Sequence, residues 1–378
     1  AGRRITHSRV VSDTKLRLAL DVAPVRAQPA GVGLYVALLA RELAARIPES
    51  LALIGIRREA AGLDDIGPVA RLPFRSPSYH SWLQLHADRD ARRWGATLAH
   101  YTNAAAPLRS RRPYVLTVHD LSLLRMPGTH PMSRRVIVPI NLWSIARAKV
   151  IIAPSDWTAH ELRRLGVSAR RVVVIPHAPT LPATAAAAGG ETSTIVERFG
   201  LEQGRYVLYA GTLEPRKNLV RLVDAFERLA REQPGLQLVL AGAPGWHYGG
   251  IARHIENSAV RNHIVLPGYL APVDLAALIE HSGVVAYVSL YEGFGMPVLD
   301  AMALGAAVVT SDLTAMPEAA GGAGVLVDPL DVGGIARGLA DGLSRREELS
   351  RGGRERAAGW TWADVAAEHL AIYRIASR

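Results

Sequence analysis

The chain has 378 residues and a formal net charge of +10 at pH 7; 49% of its residues are apolar and 21% are charged. This length and composition are typical of a globular protein with two well-buried cores. The absence of cysteine excludes disulfides, thiolate metal sites and a cysteine nucleophile, and no apolar run is long enough to span a bilayer.

The first half of the chain predicts one parallel sheet with crossover helices, because strand-like and helix-like segments alternate. Residues 1–14 are basic and lack an apolar segment, so we expect an N-terminal arm rather than a signal peptide. Residues 32–43 place apolar side chains on one helical face, and Ser155 is suited to cap a second helix. The predicted strands are residues 15–22, 51–57, 113–118, 150–153 and 171–175.

The same alternation begins again after an alanine- and glycine-rich stretch, residues 178–194, which we interpret as a linker. An amphipathic helix is expected over residues 218–231. The predicted strands here are residues 205–210, 236–241, 263–267, 284–289, 306–310 and 324–327. The pattern predicts an α/β protein with two doubly wound Rossmann-like domains, residues 1–185 and 186–360. A ligand would bind at the carboxyl ends of the strands, in the cleft between the domains.

A first candidate loop, Tyr209 to Asn218, follows a strand and opens a helix. Such a loop presents backbone N–H groups and the positive end of a helix dipole to an anion. Arg216 and Lys217 add two charges there, and together they would hold a pyrophosphate without a metal ion. From this segment alone, the alternative that both are ordinary surface charges stays open.

A second candidate loop runs from Tyr291 to Asp300 and has the same strand–turn–helix arrangement. Gly293 and Gly295 allow a ligand to approach the backbone closely, and Pro297 suits the first helical position. We expect Glu292 and Asp300, the latter in the first helical turn, to face one ligand. Asp300 is also explained by the preference of helix N-termini for acids. The loop amides of Phe294, Gly295 and Met296 would point at a sugar or phosphate.

These two loops, in this order and at this spacing, resemble the retaining glycosyltransferases of family 4, which have the GT-B fold. Glu292 to Asp300 is similar to the family's paired-acid motif, with Asp where the second Glu is usual. Residues 211–218, Gly-Thr-Leu-Glu-Pro-Arg-Lys-Asn, resemble its phosphate-binding loop, with Thr212 where many members have Arg.

The resemblance extends over most of the chain. Gly31 and Gly33 look like the family's N-terminal glycine loop, and His119 matches its active-site histidine. Tyr269 and Leu270 lie in a segment similar to the one whose backbone meets the nucleotide base. In this fold the last helix, residues 361–378 here, returns to the N-terminal domain.

The resemblance implies a retaining, metal-independent hexose transfer with no cofactor. Lys217 and Arg216 would neutralise the departing diphosphate by electrostatic preorganisation. Glu292 would hold sugar hydroxyls, and His119 would position the sugar and the diphosphate. We therefore assign His119, Glu292 and Lys217 as catalytic and expect no covalent nucleophile.

The resemblance implies that the acceptor binds to the N-terminal domain, which is the basic half of this chain. Residues 1–190 carry a net charge of +15 and residues 191–378 a net charge of −5. Arginines alternate with apolar residues over residues 133–147, and these would hold a glycan or polyprenyl-diphosphate-linked acceptor at an anionic membrane surface. An ordinary core-facing helix explains the same pattern, and a compositional bias toward arginine explains the charge.

The sequence leaves several functions open. The Gly-Thr-Leu-Glu-Pro-Arg-Lys-Asn loop is similar to bacterial polysaccharide mannosyltransferases, which favours GDP-mannose, but UDP- and dTDP-sugars fit as well. A sugar-nucleotide epimerase and a catalytically silent sugar-nucleotide-binding protein are also compatible with these residues. Nucleic acid is disfavoured, because aromatics are only 6% and no recognition motif occurs. We expect a bacterial, cytoplasmic protein, in part peripheral at the inner face of the membrane, that builds surface polysaccharide or lipopolysaccharide.

Overall fold

The computed structural model describes residues 16–60, 62–181 and 192–378. The predicted N-terminal arm and most of the predicted linker lie outside these residues. The predicted domain boundary, between residues 185 and 186, falls there too and stays a prediction.

The strands of the first half form a seven-stranded sheet in the order β3-β2-β1-β4-β5-β6-β7. The registered pairs are parallel, as a crossover topology requires. The strands are β1 (Leu18–Asp21), β2 (Leu51–Ile56), β3 (Ala70–Pro73), β4 (Leu98–Tyr101), β5 (Tyr114–Thr117), β6 (Val150–Ala153) and β7 (Val172–Val174).

The strands of the second half form a six-stranded parallel sheet in the order β10-β9-β8-β11-β12-β13. The strand order reverses between β8 and β11, so the loops after these two strands lie side by side at the carboxyl edge. The strands are β8 (Tyr206–Ala210), β9 (Gln237–Ala241), β10 (Ile264–Gly268), β11 (Val284–Tyr287), β12 (Val308–Ser311) and β13 (Val325–Val327).

Helices connect most of the strands, and the apolar side chains of α9 and α14 share one buried core with the six-stranded sheet. The helices are α1 (Val32–Arg46), α2 (Tyr79–Trp82), α3 (Asp88–Trp94), α4 (Ser122–Arg125), α5 (Met132–Arg135), α6 (Val138–Arg147), α7 (Asp156–Arg164), α8 (Thr192–Arg198), α9 (Leu219–Glu232), α10 (Tyr248–Glu256), α11 (Pro272–His281), α12 (Met296–Ala303), α13 (Met316–Ala320), α14 (Val332–Ser344), α15 (Arg346–Ala357) and α16 (Trp362–Ala376).

Each strand predicted from sequence is present, with ends shifted by a few residues. Ser155 caps α7 as predicted, because its side chain accepts the Thr158 N–H. Two strands were not predicted. Strand β3 was missed because its residues are partly or fully exposed and its last residue is proline. Strand β4 was missed because the buried His100 interrupts its short apolar run.

The chain divides into two compact units. Of the described residues, one unit contains 16–60, 62–116, 148–150 and 369–378, and the other contains 117–147, 151–181 and 192–368. Within the first unit the end of α16 is held by buried polar contacts. The Tyr35 hydroxyl and His369 Nε2 are 2.9 Å apart, and His100 Nδ1 and the Tyr373 hydroxyl are 2.7 Å apart.

Candidate functional site

The first candidate loop is a tight turn at the carboxyl end of β8. Pro215–Lys217 form a single 3₁₀ turn, and Asn218 then adopts a left-handed conformation with φ of 63°. Asparagine tolerates this conformation better than most residues. Its side-chain amide donates to the carbonyls of Val288 (3.1 Å) and Pro329 (2.7 Å). Because α9 begins at Leu219, Asn218 is its N-cap residue, without a side-chain cap hydrogen bond, and not its first helical residue as predicted.

The Lys217 ammonium is buried against the second candidate loop. Its Nζ donates to Glu292 Oε1 and to the Tyr287 hydroxyl, each at 2.6 Å, and lies 4.9 Å from the centre of the Tyr287 ring. Tyr287 stacks in turn on Tyr209, with ring centres 5.7 Å apart. The ammonium is thus fixed by a carboxylate, a hydroxyl and an aromatic face.

The Arg216 guanidinium is held from both sides. Its Nη1 donates to Glu292 Oε2 (2.9 Å) and to the Tyr291 carbonyl (2.6 Å). Its Nε and Nη2 both donate to Glu214 Oε1, at 3.1 and 2.8 Å. Because Arg216 and Lys217 are both buried, the alternative that they are surface charges is wrong.

We call Glu214, Arg216, Lys217 and Glu292 the charge cluster; it holds two cations and two carboxylates. Burial alone would raise the pKa of Glu292, but the adjacent Arg216 and Lys217 charges lower it to about 2. Burial lowers the pKa of Lys217, and the Arg216 charge adds to this effect. Burial raises the pKa of Glu214, although Arg216 and Lys217 oppose the change. The two carboxylates therefore differ, since the pKa of Glu292 is lowered and that of Glu214 is raised although both lie beside Arg216 and Lys217.

Gly293 fixes the second loop against the carboxyl end of β5. A Cβ at this position would overlap the His119 carbonyl oxygen and lie 2.8 Å from the Asp120 Cβ. The Gly293 carbonyl accepts hydrogen bonds from the hydroxyls of Ser155 (2.6 Å) and Thr158 (3.0 Å) at the start of α7. Two backbones therefore meet without an intervening side chain, which explains why glycine is needed here.

His119 lies beside this contact and is half-buried. Its ring centre is 5.6 Å from that of His177, which is 5.0 Å from Phe294 and 6.1 Å from Trp362. The structure thus places His119 and Phe294 around His177. His177 was not predicted from sequence, although its position shortly after β7, at the edge of a parallel sheet, was a usable signal.

Asp300 does not contact the charge cluster. Its carboxylate accepts hydrogen bonds from the Thr180 N–H, the Thr180 hydroxyl (2.7 Å) and the Leu181 N–H (3.2 Å). The helix begins at Met296, so Asp300 lies in the second turn and the predicted first-turn position was wrong. For the same reason Pro297 is the second helical residue. The two acids of the paired motif therefore bind different partners in this structure.

Asp300 supplies a testable pH dependence of stability. Burial raises the pKa of Asp300 to about 6, although the hydrogen bonds from Thr180 and Leu181 lower it in part. The folded protein thus binds this proton more tightly than the unfolded chain, and the group contributes less stability as pH rises from about 4 to about 6. We expect Asp300→Asn, which keeps an acceptor and removes the charge, to raise the melting temperature above pH 6. Melting curves from pH 4 to 8 should show this gain shrinking below pH 6; a constant gain would contradict it.

The remaining predicted donor residues take varied positions. Gly31, with φ of 50°, precedes α1 in the first unit, and a Cβ at Gly33 would lie 3.0 Å from the Pro24 carbonyl oxygen. In the second unit, the carbonyl of Thr212 accepts the Tyr209 hydroxyl at 2.9 Å. After β10 come Tyr269, which is 41% exposed, and Leu270. At the start of α12 lie Gly295, with φ of 106°, and Met296.

Across the described part of the chain, no group of three or more His, Asp or Glu side chains is arranged to hold a metal ion. No helix of residues 16–60, 62–181 and 192–378 has the length and apolar character needed to cross a bilayer. The predicted independence from metal and cofactor stays a prediction.

Two family models match the chain. The model described as Glycosyltransferase Family 4 matches residues 29–178, and the model described as Glycosyl transferases group 1 matches residues 192–357. A relative described as O-antigen chain mannosyltransferase B from Escherichia coli is 30% identical over 391 aligned positions, which cover 95% of this chain and all of that protein.

Solved structures show the same fold. Anabaena Alr3699/HepE in complex with UDP and glucose superposes with a TM-score of 0.73 at 17% identity, over 94% of this chain and 99% of that one. WaaG, a glycosyltransferase involved in lipopolysaccharide biosynthesis, has a TM-score of 0.72 at 14% identity and the same coverage. The predicted GT-B class with two Rossmann-like domains is confirmed.

Proposed function

Because the chain belongs to the family 4, group 1 glycosyltransferases, we propose that it transfers mannose from GDP-mannose to a glycan or lipid-linked glycan acceptor. The transfer would proceed with retention and without a metal ion, in the synthesis of a bacterial surface polysaccharide. The full-length similarity to a protein named as an O-antigen chain mannosyltransferase supports the sugar and the pathway class.

The observation that carries this proposal is the charge cluster at the carboxyl edge of the six-stranded sheet. Arg216 and Lys217 are cations held in fixed positions at a strand-to-helix loop, where a donor diphosphate is bound in doubly wound folds. Preorganised cations stabilise the negative charge that develops on a leaving diphosphate, which is the task of a metal ion in other transferases. Glu292 lies next to them and would turn to the sugar hydroxyls once the diphosphate occupies the cations.

The donor is tested by thermal stabilisation with GDP, UDP, dTDP and their sugar conjugates in the presence of EDTA. A nucleotide at 100 times its Kd stabilises the folded state by about 2.7 kcal/mol, so we expect GDP and GDP-mannose to raise the melting temperature. Stabilisation by UDP or dTDP compounds instead would assign the donor as a UDP- or dTDP-sugar. The HepE complex makes UDP the second candidate. If no nucleotide acts at millimolar concentration, the proposed donor site is wrong.

The acceptor proposal rests on residues 132–147 of the second unit. This segment buries Ile137 and Ile145, so part of it is an ordinary core-facing helix. Three apolar side chains nevertheless point outward, since Met132 is 70%, Val136 76% and Leu142 41% exposed. Exposed apolar side chains among arginines are typical of a surface that contacts anionic lipid.

We expect the double variant Arg134→Glu, Arg135→Glu to bind less to vesicles that contain anionic lipid. Each arginine near such a surface contributes about 1 kcal/mol, so the loss of two should weaken binding at least roughly 30-fold, and the added glutamates should weaken it further. Sedimentation with vesicles measures this, and Arg163→Glu, Arg170→Glu, which changes two exposed arginines elsewhere, is the matched control. Equal binding to neutral vesicles by the unaltered protein would refute membrane contact through anionic lipid.

A further inference from the structure

Glu214 has the smallest solvent-exposed fraction in the charge cluster, 1%. One of its oxygens, Oε1, accepts both the Nε and the Nη2 hydrogens of Arg216. This fixes the plane of the guanidinium and leaves Nη1 for Glu292 and the Tyr291 carbonyl. Glu214 has no role in the function proposed above.

The groups that face Glu214 come from three places in the fold. Arg216 and Lys217 follow it on the same loop, and Glu292 faces it from the loop after β11. Tyr209 on β8 and Tyr287 on β11 also interact electrostatically with Glu214. Two cations thus balance two carboxylates, and the cluster is neutral before a ligand binds.

We propose that Glu214 positions the Arg216 guanidinium for the donor diphosphate and takes up one proton from solvent when that diphosphate binds. The proposal rests on the proposed function, because it needs the diphosphate to bind at Arg216 and Lys217. The bond formed is O–H at the carboxylate oxygen that does not accept from Arg216, and the bond broken is the one that held this proton on hydronium or on the acid form of the buffer.

The reason is charge balance in a buried site. A nucleotide-sugar diphosphate brings two negative charges beside two carboxylates, and uncompensated buried charge is costly. A proton on one carboxylate halves the added charge. Glu292 bonds both cations and its pKa is held low, whereas burial already raises the pKa of Glu214. The approaching diphosphate raises the pKa of Glu214 further, so the proton goes there.

The test is calorimetric titration of GDP-mannose, with UDP-glucose as a second probe, into the full chain from pH 6.5 to 8.5. Neither probe has a phosphate proton that titrates in this range, so heats that differ between buffers of different ionisation enthalpy report proton uptake by the protein. We expect uptake of up to one proton and a Kd that rises by up to tenfold per pH unit. The Glu214→Gln variant should take up no proton, and its Kd should not change with pH.

Two further variants complete the test. Glu214→Asp keeps a carboxylate with a shorter reach, so it should retain proton uptake but bind more weakly. Glu161→Gln neutralises another buried carboxylate, which is paired with Arg125 and Arg164 outside the charge cluster, and should behave like the unaltered protein. Binding with equal heats in all buffers, or proton uptake that persists in Glu214→Gln, would overturn this inference but leave the proposed function standing. Failure of both probes to bind would instead refute the proposed function.

Discussion

Replacing Lys217 by methionine is expected to lower the kcat of sugar transfer by about 100- to 1000-fold, the usual effect of removing one preorganised group that stabilises developing charge. The ammonium is buried and is held in place by Glu292 and Tyr287, so only Glu292 has to turn away for it to meet the leaving diphosphate. Methionine matches the length of the lysine stem but carries no charge. Initial rates of transfer at saturating donor, with purified acceptor, give the measurement.

This loss must be separated from a loss of folding. Lys217→Met leaves Glu292 buried with one cation instead of two, and breaking a buried pair costs about 3–5 kcal/mol. The double variant Lys217→Met, Glu292→Gln restores the charge balance of the cluster, and should recover much of the melting temperature but no activity. Lys149→Met, at an exposed lysine, is the matched control for the substitution itself. If the double variant recovers turnover together with stability, Lys217 has a structural role only.

The strand-to-helix loops were predictable because their signals are local. A buried strand, a turn rich in glycine or proline, and the start of a helix lie within a dozen residues of one another around Arg216 and around Gly293. Both loops were expected at the carboxyl edge of a parallel sheet, and the order of β8 and β11 places them side by side. The positions of the cations in the fold thus followed from the sequence pattern alone.

The partners of the charged groups were not predictable, because they are set by contacts between distant segments. Glu292 is 75 residues from Lys217, and Asp300 is 120 residues from Thr180. The paired acids share a motif, and sequence spacing suggested a shared ligand. In the fold the intervening turn places Asp300 against the segment that follows β7, while Glu292 joins Arg216 and Lys217. Sequence patterns identify which groups are charged, but tertiary packing decides which opposite charge each one meets.

Replacing Gly293 by alanine is expected to lower kcat by about 100-fold and to destabilise the protein by about 1–3 kcal/mol. The new methyl group would overlap the His119 carbonyl oxygen, which is backbone and cannot move aside without displacing the end of β5. A displacement of about 1 Å in the adjacent Glu292 is enough to cost about 100-fold in rate. Gly293 does not have a positive φ, so the effect would be steric rather than conformational.

Transfer rates and melting curves of Gly293→Ala, measured beside Gly67→Ala, test this expectation. Gly67 is exposed and has no atom within 4 Å of the position of a new Cβ, so its variant should stay within about 0.5 kcal/mol of the parent in stability. Because the carbonyl of Gly293 also holds Ser155 and Thr158, a loop pushed outward loses those two bonds along with its contact to His119. The melting temperature should therefore fall together with the rate. A Gly293→Ala protein with unchanged rate and stability would mean that the close approach of these two backbones has no part in setting Glu292 beside Lys217.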